Sequence, residues 1–276
     1  MSIKVLLSGG LGNQLFQYSA ARSLSIFRDT PLIVDPLWCR KRRVEIGHFP
    51  LKAKVIVYGE GQRRRDSISW RIRRKLADIG RPHFMYNAPF YIDRFWENPG
   101  HVKITGYYQS YRYFADYYDQ FADEIDLTSS VAETLTDAER GTLEGSIAVH
   151  VRRGDYLTTS GFPMADVDAY YTNGIAVARS MSKLDRLTVF SDDTQWCRGQ
   201  PYFSGASFWP ANLELPHRDL FAMSLCGAVV IANSTFSWWA GWFASQRGKP
   251  VVAPKVWIRG RPIESMPLAP PTWVVI

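Results

Sequence analysis

At 276 residues, with 46% hydrophobic and 14% aromatic side chains, the chain is too apolar to be disordered and long enough for two domains of ordinary size. No stretch reaches the ~18 uninterrupted apolar residues of a membrane-spanning helix, and the apolar run Ile3 to Leu7 is too short for a signal peptide, so a cytoplasmic protein is expected. The net charge of +7 is concentrated: residues 40–75 hold thirteen Lys/Arg against three acids, a larger excess than the whole chain carries. Such a segment suits the inner face of an anionic membrane or another polyanion, or is simply a solvated basic surface. Cys39, Cys197 and Cys226 are few, odd in number and far apart, and read as reduced thiols. The five histidines form no His-x-x-His or His-Glu-x-x-His, so no metal site is expected.

In chain order, Ile3 to Ser8 reads as a strand. It runs through the turn Gly9-Gly10-Leu11-Gly12-Asn13-Gln14 into an amphipathic helix ending near Phe27. Strand, glycine turn and helix start together make a phosphate site: the helix N-terminus offers unpaired N–H groups, with Gly10, Gly12, Asn13 and Gln14 as candidates. The turn is neither Gly-x-Gly-x-x-Gly nor a P-loop, and a tight strand-to-helix connection accounts for its glycines equally well. Leu32 to Val34 is the next strand, the basic segment comes after it with a strand at Lys54 to Tyr58, and residues 84–119 are crowded with aromatics. Phe114 to Phe121 begins a helix. Residues 128–145 form a polar, helix-prone segment, and the domain boundary is placed at its end, giving domains 1–145 and 146–276.

The second half alternates regularly. Strand Ile147 to Val151 ends in Arg152-Arg153-Gly154-Asp155, strand Arg186 to Phe190 in Ser191-Asp192-Asp193, and strand Ala228 to Ala232 in Asn233-Ser234-Thr235. A short strand is expected near Ala206 to Phe208. Helices are expected at Asp168 to Met181, Pro216 to Cys226 and Phe236 to Ser245, and a last strand at Pro250 to Ala253. In a parallel sheet those polar strand ends converge on one edge. Arginine forks suit a phosphate or carboxylate, at roughly 1.5–3 kcal/mol per charge-assisted bond. The competing reading is that Arg152 and Arg153 only pair with nearby acids. Ser234 and Thr235 stand at a helix start, either as anion ligands or as ordinary N-caps. No nicotinamide fingerprint, kinase lysine or nucleophile elbow is present. The set therefore points to glycosyl transfer from a nucleotide sugar, with arginine offsetting the charge on a diphosphate leaving group.

Five motifs then appear in order: Gly9-Gly10-Leu11-Gly12-Asn13-Gln14-Leu15-Phe16-Gln17-Tyr18, Gly106-Tyr107-Tyr108-Gln109-Ser110, His150-Val151-Arg152-Arg153-Gly154-Asp155-Tyr156, Phe190-Ser191-Asp192-Asp193 and Ile231-Ala232-Asn233-Ser234-Thr235-Phe236-Ser237-Trp238-Trp239. Together they resemble glycosyltransferase family 11, the α-1,2-fucosyltransferases; the resemblance is least over 40–75. It implies a GT-B α/β fold, two Rossmann-like domains facing a cleft, with the C-terminal one holding GDP-L-fucose. It further implies an inverting, metal-independent transfer to the 2-hydroxyl of a galactoside, without cofactor. By that resemblance His150 and Asp219 contact guanine and Asp192 the ribose or base. Arg152 and Arg153 bind the diphosphate and stabilise its departure, while Ser234 and Thr235 reach the β-phosphate. Asn13 reaches the diphosphate or the fucose, and Ser191, Asn233 and Ser237 flank the donor. Asp155 is either the general base or an orienting partner for the arginines. Acceptor choice is expected to lie with N-terminal aromatics such as Tyr107 and Tyr108. The acceptor is an oligosaccharide, lipid-linked if segment 40–75 holds the enzyme at a membrane. A non-catalytic polyanion or nucleic-acid binder is the competing class, disfavoured because the basic segment lies outside the convergent motifs.

Overall fold

The computed structural model describes residues 2–39, 43–57, 83–85, 91–97, 102–154, 166–212, 214–258, 261–263 and 266–276. Asp155 and most of the basic segment lie outside them. The described chain divides into two units, Met1–Ile125 and Asp126–Ile276.

In the first unit, β1 (Ile3–Leu6), α1 (Leu11–Phe27), β2 (Leu32–Asp35), β3 (Lys54–Val55), β4 (His83–Met85) and β5 (Val102–Thr105) form a five-stranded parallel sheet in the order β3-β2-β1-β5-β4. Helix α1 packs Leu15, Phe16, Ala20 and Leu24 into the core. Two strands, β4 and β5, escape the sequence pattern: β5 is four residues long and includes Lys103, yet all four side chains are buried. Past β5, the helix expected from Phe114 is instead a pair of 3-10 turns, Tyr111–Tyr113 and Ala115–Gln120, leading into one α turn, α2 (Ala122–Ile125). The aromatics there pack as rings, Phe95 against Trp96, Tyr108 and Tyr113. Glu124 is fully buried and anchors this end: it receives Tyr18 Oη, Arg22 Nε and Nη2, and the backbone N–H of Lys52.

The second unit contains α3 (Thr128–Glu133), α4 (Asp137–Glu144), β6 (Ile147–Val151), α5 (Val167–Ser182), β7 (Leu187–Ser191), α6 (Thr194–Arg198), β8 (Ser207–Phe208), α7 (Pro216–Leu225), β9 (Ala228–Val230), α8 (Thr235–Gln246), β10 (Val251–Ala253), β11 (Val256–Ile258), β12 (Arg261–Pro262) and β13 (Val274–Val275). The boundary expected at 145 shifts to Ile125–Asp126, because α3 and α4 pack on α7 and so join the C-terminal unit. Six parallel strands run β13-β10-β9-β6-β7-β8. Counted from β6, this is the 3-2-1-4-5-6 order of a doubly wound sheet. Every residue of β6 and β7 is buried, as expected of mostly apolar strands covered on both faces. Ile147, Val149 and Val151 face Tyr171 and Ile175 of α5. Helix α8 contributes Trp238, Trp239, Trp242 and Phe243 to the core, with Trp238 Nε1 donating to the Leu268 carbonyl. Among the described residues no helix is long and apolar enough to cross a membrane, and the three cysteines are buried and joined in no disulfide.

Candidate active site

Ligands of open α/β sheets settle beyond the carboxyl ends of the strands, where the strand order reverses. In the second unit that point lies between β6 and β9. Strand β6 delivers His150 and, just past its end, Arg152 and Arg153; β9 leads into Asn233, Ser234 and the start of α8.

Helix α8 opens toward this edge without help from side chains. Ser234 occupies its N-cap position with extended backbone, but its hydroxyl makes no capping bond, and the first turn carries no acid. The first intrahelical bond is Trp238 N–H to Ser234 O, leaving the N–H groups of Thr235, Phe236 and Ser237 outside the helical ladder. The N-cap alternative for Ser234 thus fails, and the helix end keeps its partial positive charge for something else.

The two arginines do have acidic partners. Arg152 Nη1 lies 2.9 Å from Asp192 Oδ2, and Arg153 Nε 3.1 Å from Asp193 Oδ2. Asp192 Oδ1 also accepts the Arg153 backbone N–H at 2.9 Å, tying the end of β6 to the end of β7. Arg153 lies flat on Trp196, its guanidinium carbon 3.9 Å from the ring centroid. Asp193 caps α6 through Trp196 N–H, and that bond, with Arg153, holds its carboxyl below the usual range. The acids orient the forks rather than enclose them: both arginine side chains remain partly exposed, and the Nη groups of Arg153 have no protein partner among the described residues. Gly154 makes the arrangement possible. A Cβ there would sit 2.8 Å from Asp192 Oδ2.

His150 is 5% exposed, on the opposite face of β6 from α5, with its ring 5.7 Å from that of Phe236. Burial, with Arg152 second, pushes its pKa down to about 3, so the ring is neutral. Its Nδ1 has no hydrogen-bond partner among the described residues, so the ring keeps polar capacity beside the α8 terminus.

Other expected ligands are occupied structurally. Ser191 Oγ accepts the Asp193 N–H. Asn233 Nδ2 donates to the Trp257 carbonyl, and Ser237 Oγ is turned back onto the carbonyls of Ala232 and Ser234. Asp219, in the first turn of α7, takes Trp209 Nε1 on one oxygen and Asn212 N–H on the other, and burial raises its pKa. These four shape the edge by holding its loops. Asp155 lies outside the described residues.

The first unit has a reversal of its own, between β1 and β5, and it joins the first two motifs. Gln17 accepts the Ser8 N–H and donates to Ser8 Oγ and the Gly106 carbonyl, stitching the two strand ends together. Gln109 Nε2 donates to Asn13 Oδ1 at 2.8 Å. Gly9 has φ +78°, and a Cβ there would meet Asn13 Nδ2 at 2.5 Å, so glycine is required on both counts. Gly10 and Gly12 lie at the start of α1. Gln14 is a correction: it is fully buried, donating to the carbonyls of Gly9 and Arg43 and accepting the N–H groups of Glu45 and Ile46. All its hydrogen-bonding capacity is used, and it cannot be a ligand. Tyr108 is corrected too, being fully buried, whereas Tyr107 is exposed.

Two residues with no motif to mark them brace the second unit's edge. Tyr171 Oη donates to the His150 carbonyl at 2.9 Å and Tyr170 Oη to the Ile231 carbonyl at 2.6 Å. They are consecutive on α5 and reach both strands flanking the reversal.

Residues 88–264 match the profile of glycosyl transferase family 11. The chain is 28% identical to an O-antigen biosynthesis glycosyltransferase, WbnK, of Escherichia coli, over 92% of this chain and 94% of that protein. It is also 28% identical to an α-1,2-colitosyltransferase of Escherichia coli, over 100% of this chain and 99% of the other. Among solved structures it is similar to the fucosyltransferase NodZ from Bradyrhizobium, with TM-score 0.51 and 15% identity over 88% of this chain and 92% of that one. That likeness carries the fold, GT-B, and no more.

Proposed function

This chain belongs to glycosyl transferase family 11 and is a glycosyltransferase; from that premise we propose that it moves L-fucose from GDP-L-fucose to the 2-hydroxyl of a galactoside, with inversion and without a metal ion. The observation that carries the donor half is the uncapped N-terminus of α8 beside two oriented arginines at one strand-order reversal. The diphosphate would take the N–H groups of Thr235, Phe236 and Ser237 and the Ser234 hydroxyl. Arg152 and Arg153 would carry the charge that grows as the C1–O bond breaks and its electron pair leaves with GDP. The acceptor oxygen attacks C1 from the opposite face. Neutral His150, with Nδ1 unpartnered among the described residues, suits a hydrogen bond to the base rather than an ion pair. Asp192 and Asp193 already hold arginines, so the proton lost by the acceptor hydroxyl goes to Asp155, the base candidate of the same motif, or directly to solvent water if the transfer has no dedicated base. Donor contacts for Asp219, Ser191, Asn233 and Ser237 are not retained beyond loop support.

The test is GDP release from GDP-fucose with lactose as acceptor in EDTA. Acceptor-dependent release supports the proposal; GDP binding with no release from any galactoside removes the acceptor half. A second reading, another GDP-linked deoxysugar, is favoured by the colitosyltransferase that matches the whole chain, and a panel of GDP-sugars under the same assay decides between them. The WbnK similarity extends the proposal to a lipid-linked oligosaccharide acceptor approached from the cytoplasmic face, with segment 40–75 on anionic lipid. Failure to float with acidic liposomes would remove that extension.

A further inference from the structure

Trp196 stands just past the motif Phe190–Asp193, and its backbone is held at both ends. Its N–H donates to Asp193 Oδ1 at 3.0 Å, and its carbonyl accepts Gly199 N–H at 3.0 Å and Gln200 Nε2 at 3.1 Å. The half-buried ring packs against the core built on β6, β7 and α5. A single turn of chain thus gives Arg153 two partners of different kinds. Asp193 Oδ2 takes its Nε at 3.1 Å, and the indole covers one face, 3.9 Å from centroid to guanidinium carbon. A lone hydrogen bond in the guanidinium plane leaves the planar head free to swivel about that bond. The ring lying against the face removes the swivel. Left over are the two Nη groups, without a protein partner among the described residues.

The ring also holds Arg153 without neutralising it. Arg152 and Arg153 already face Asp192 and Asp193, two charges against two. A third acid in place of the ring would make the cluster net negative and repel a diphosphate, whereas an indole attracts a cation through its quadrupole and adds no charge. For folding alone, an aliphatic side chain packed at the same place would serve as well. We propose that Trp196 is a positioning residue of the donor site, its ring fixing the plane of Arg153 so that both Nη groups are set in advance for diphosphate oxygens. The role rests on Arg153 bearing the charge of a nucleotide diphosphate.

The experiment places tryptophans with one, two and three ring fluorines at position 196 by nonsense suppression. GDP affinity is read by calorimetry, and turnover with GDP-fucose and lactose. Each fluorine drains negative charge from the ring face while barely changing its volume, so packing is held constant, which a melting curve verifies. GDP affinity is expected to fall stepwise, about tenfold by the trifluoro ring, with kcat falling by a similar factor and the lactose KM within about twofold. Trp196→Phe should keep turnover within about fivefold of wild type, and Trp196→Leu should lose about 30-fold. GDP affinity that stays flat along the fluorine series, a series that moves only the melting temperature, or a wild type that binds no GDP overturns the proposal. A wild type that binds GDP, with affinity stepping down along the series, but turns over no GDP-sugar refutes the proposed reaction and leaves Trp196 in its role.

Discussion

Replacing Gly154 with alanine perturbs the donor side at one atom. Its φ is not positive, so the backbone tolerates alanine and the whole effect is steric. The new Cβ would lie 2.8 Å from Asp192 Oδ2 and 3.5 Å from its Cγ, so the carboxylate must retreat by several tenths of an ångström, about 0.6 Å for ordinary contact. Asp192 is not at liberty to do so, because it holds Arg152 Nη1 and the Arg153 N–H at 2.9 Å each. Both bonds lengthen past good geometry. Since the pair is partly exposed, folding stability falls by only about 1 kcal/mol. A misplaced guanidinium is more damaging to the reaction: turnover should drop about 100-fold with GDP affinity reduced. The assay is a double-mutant cycle on initial rate and melting temperature with Gly154→Ala, Asp192→Ala and both together. Because the alanine acts through Asp192, the double variant should be no slower than Asp192→Ala alone. Strictly additive losses, or wild-type turnover in Gly154→Ala, would refute the reasoning.

Gln14→Leu should destabilise the protein by roughly 2–4 kcal/mol, since it strands the N–H groups of Glu45 and Ile46, yet leave the donor KM within about twofold; a donor KM tenfold higher in folded protein would return Gln14 to the site. His150 gives a pH test. Its folded pKa of about 3 lies below the ordinary 6.5, so between those values the unfolded chain takes up a proton that the folded one refuses. Stability therefore falls as pH drops from about 6.5 toward 3, by up to about 1.4 kcal/mol per pH unit. His150→Gln should flatten that slope in acid-unfolding curves, and parallel curves for the two proteins would contradict it.

The second unit is legible because a parallel sheet buried on both faces writes its strands as unbroken apolar runs, each ending where the polar residues begin. Ile147–Val151 and Leu187–Ser191 are close to such runs, broken only by His150, Thr188 and Ser191, and the convergence of Arg152, Asp192 and Ser234 on one edge comes from counting strands. The first unit hides β5, because a four-residue strand that includes a lysine has no pattern to show. Gln14 misleads for a reason intrinsic to amides: the same side chain at a helix start serves a ligand or four backbone groups, and only the fold of residues 43–46 decides. Asp219, Asn233 and Ser237 carry structural bonds of the same kind, to partners ten residues away, twenty-four away, or on the backbone of Ala232 and Ser234. Helix-prone residues 128–144 carry no mark of which core they join.

Consecutive residues on a helix point about 100° apart, and Tyr170 and Tyr171 turn that fact into a gauge. Their phenols meet the carbonyls at the ends of two neighbouring strands, so the gap between those strand ends is set by side chains of α5. A lineage adapting to a differently shaped donor would find its adjustments there as readily as among the residues lining the crevice. Libraries built around Val167 to Tyr171 are thus a route to new donor preference that contact-based design would overlook.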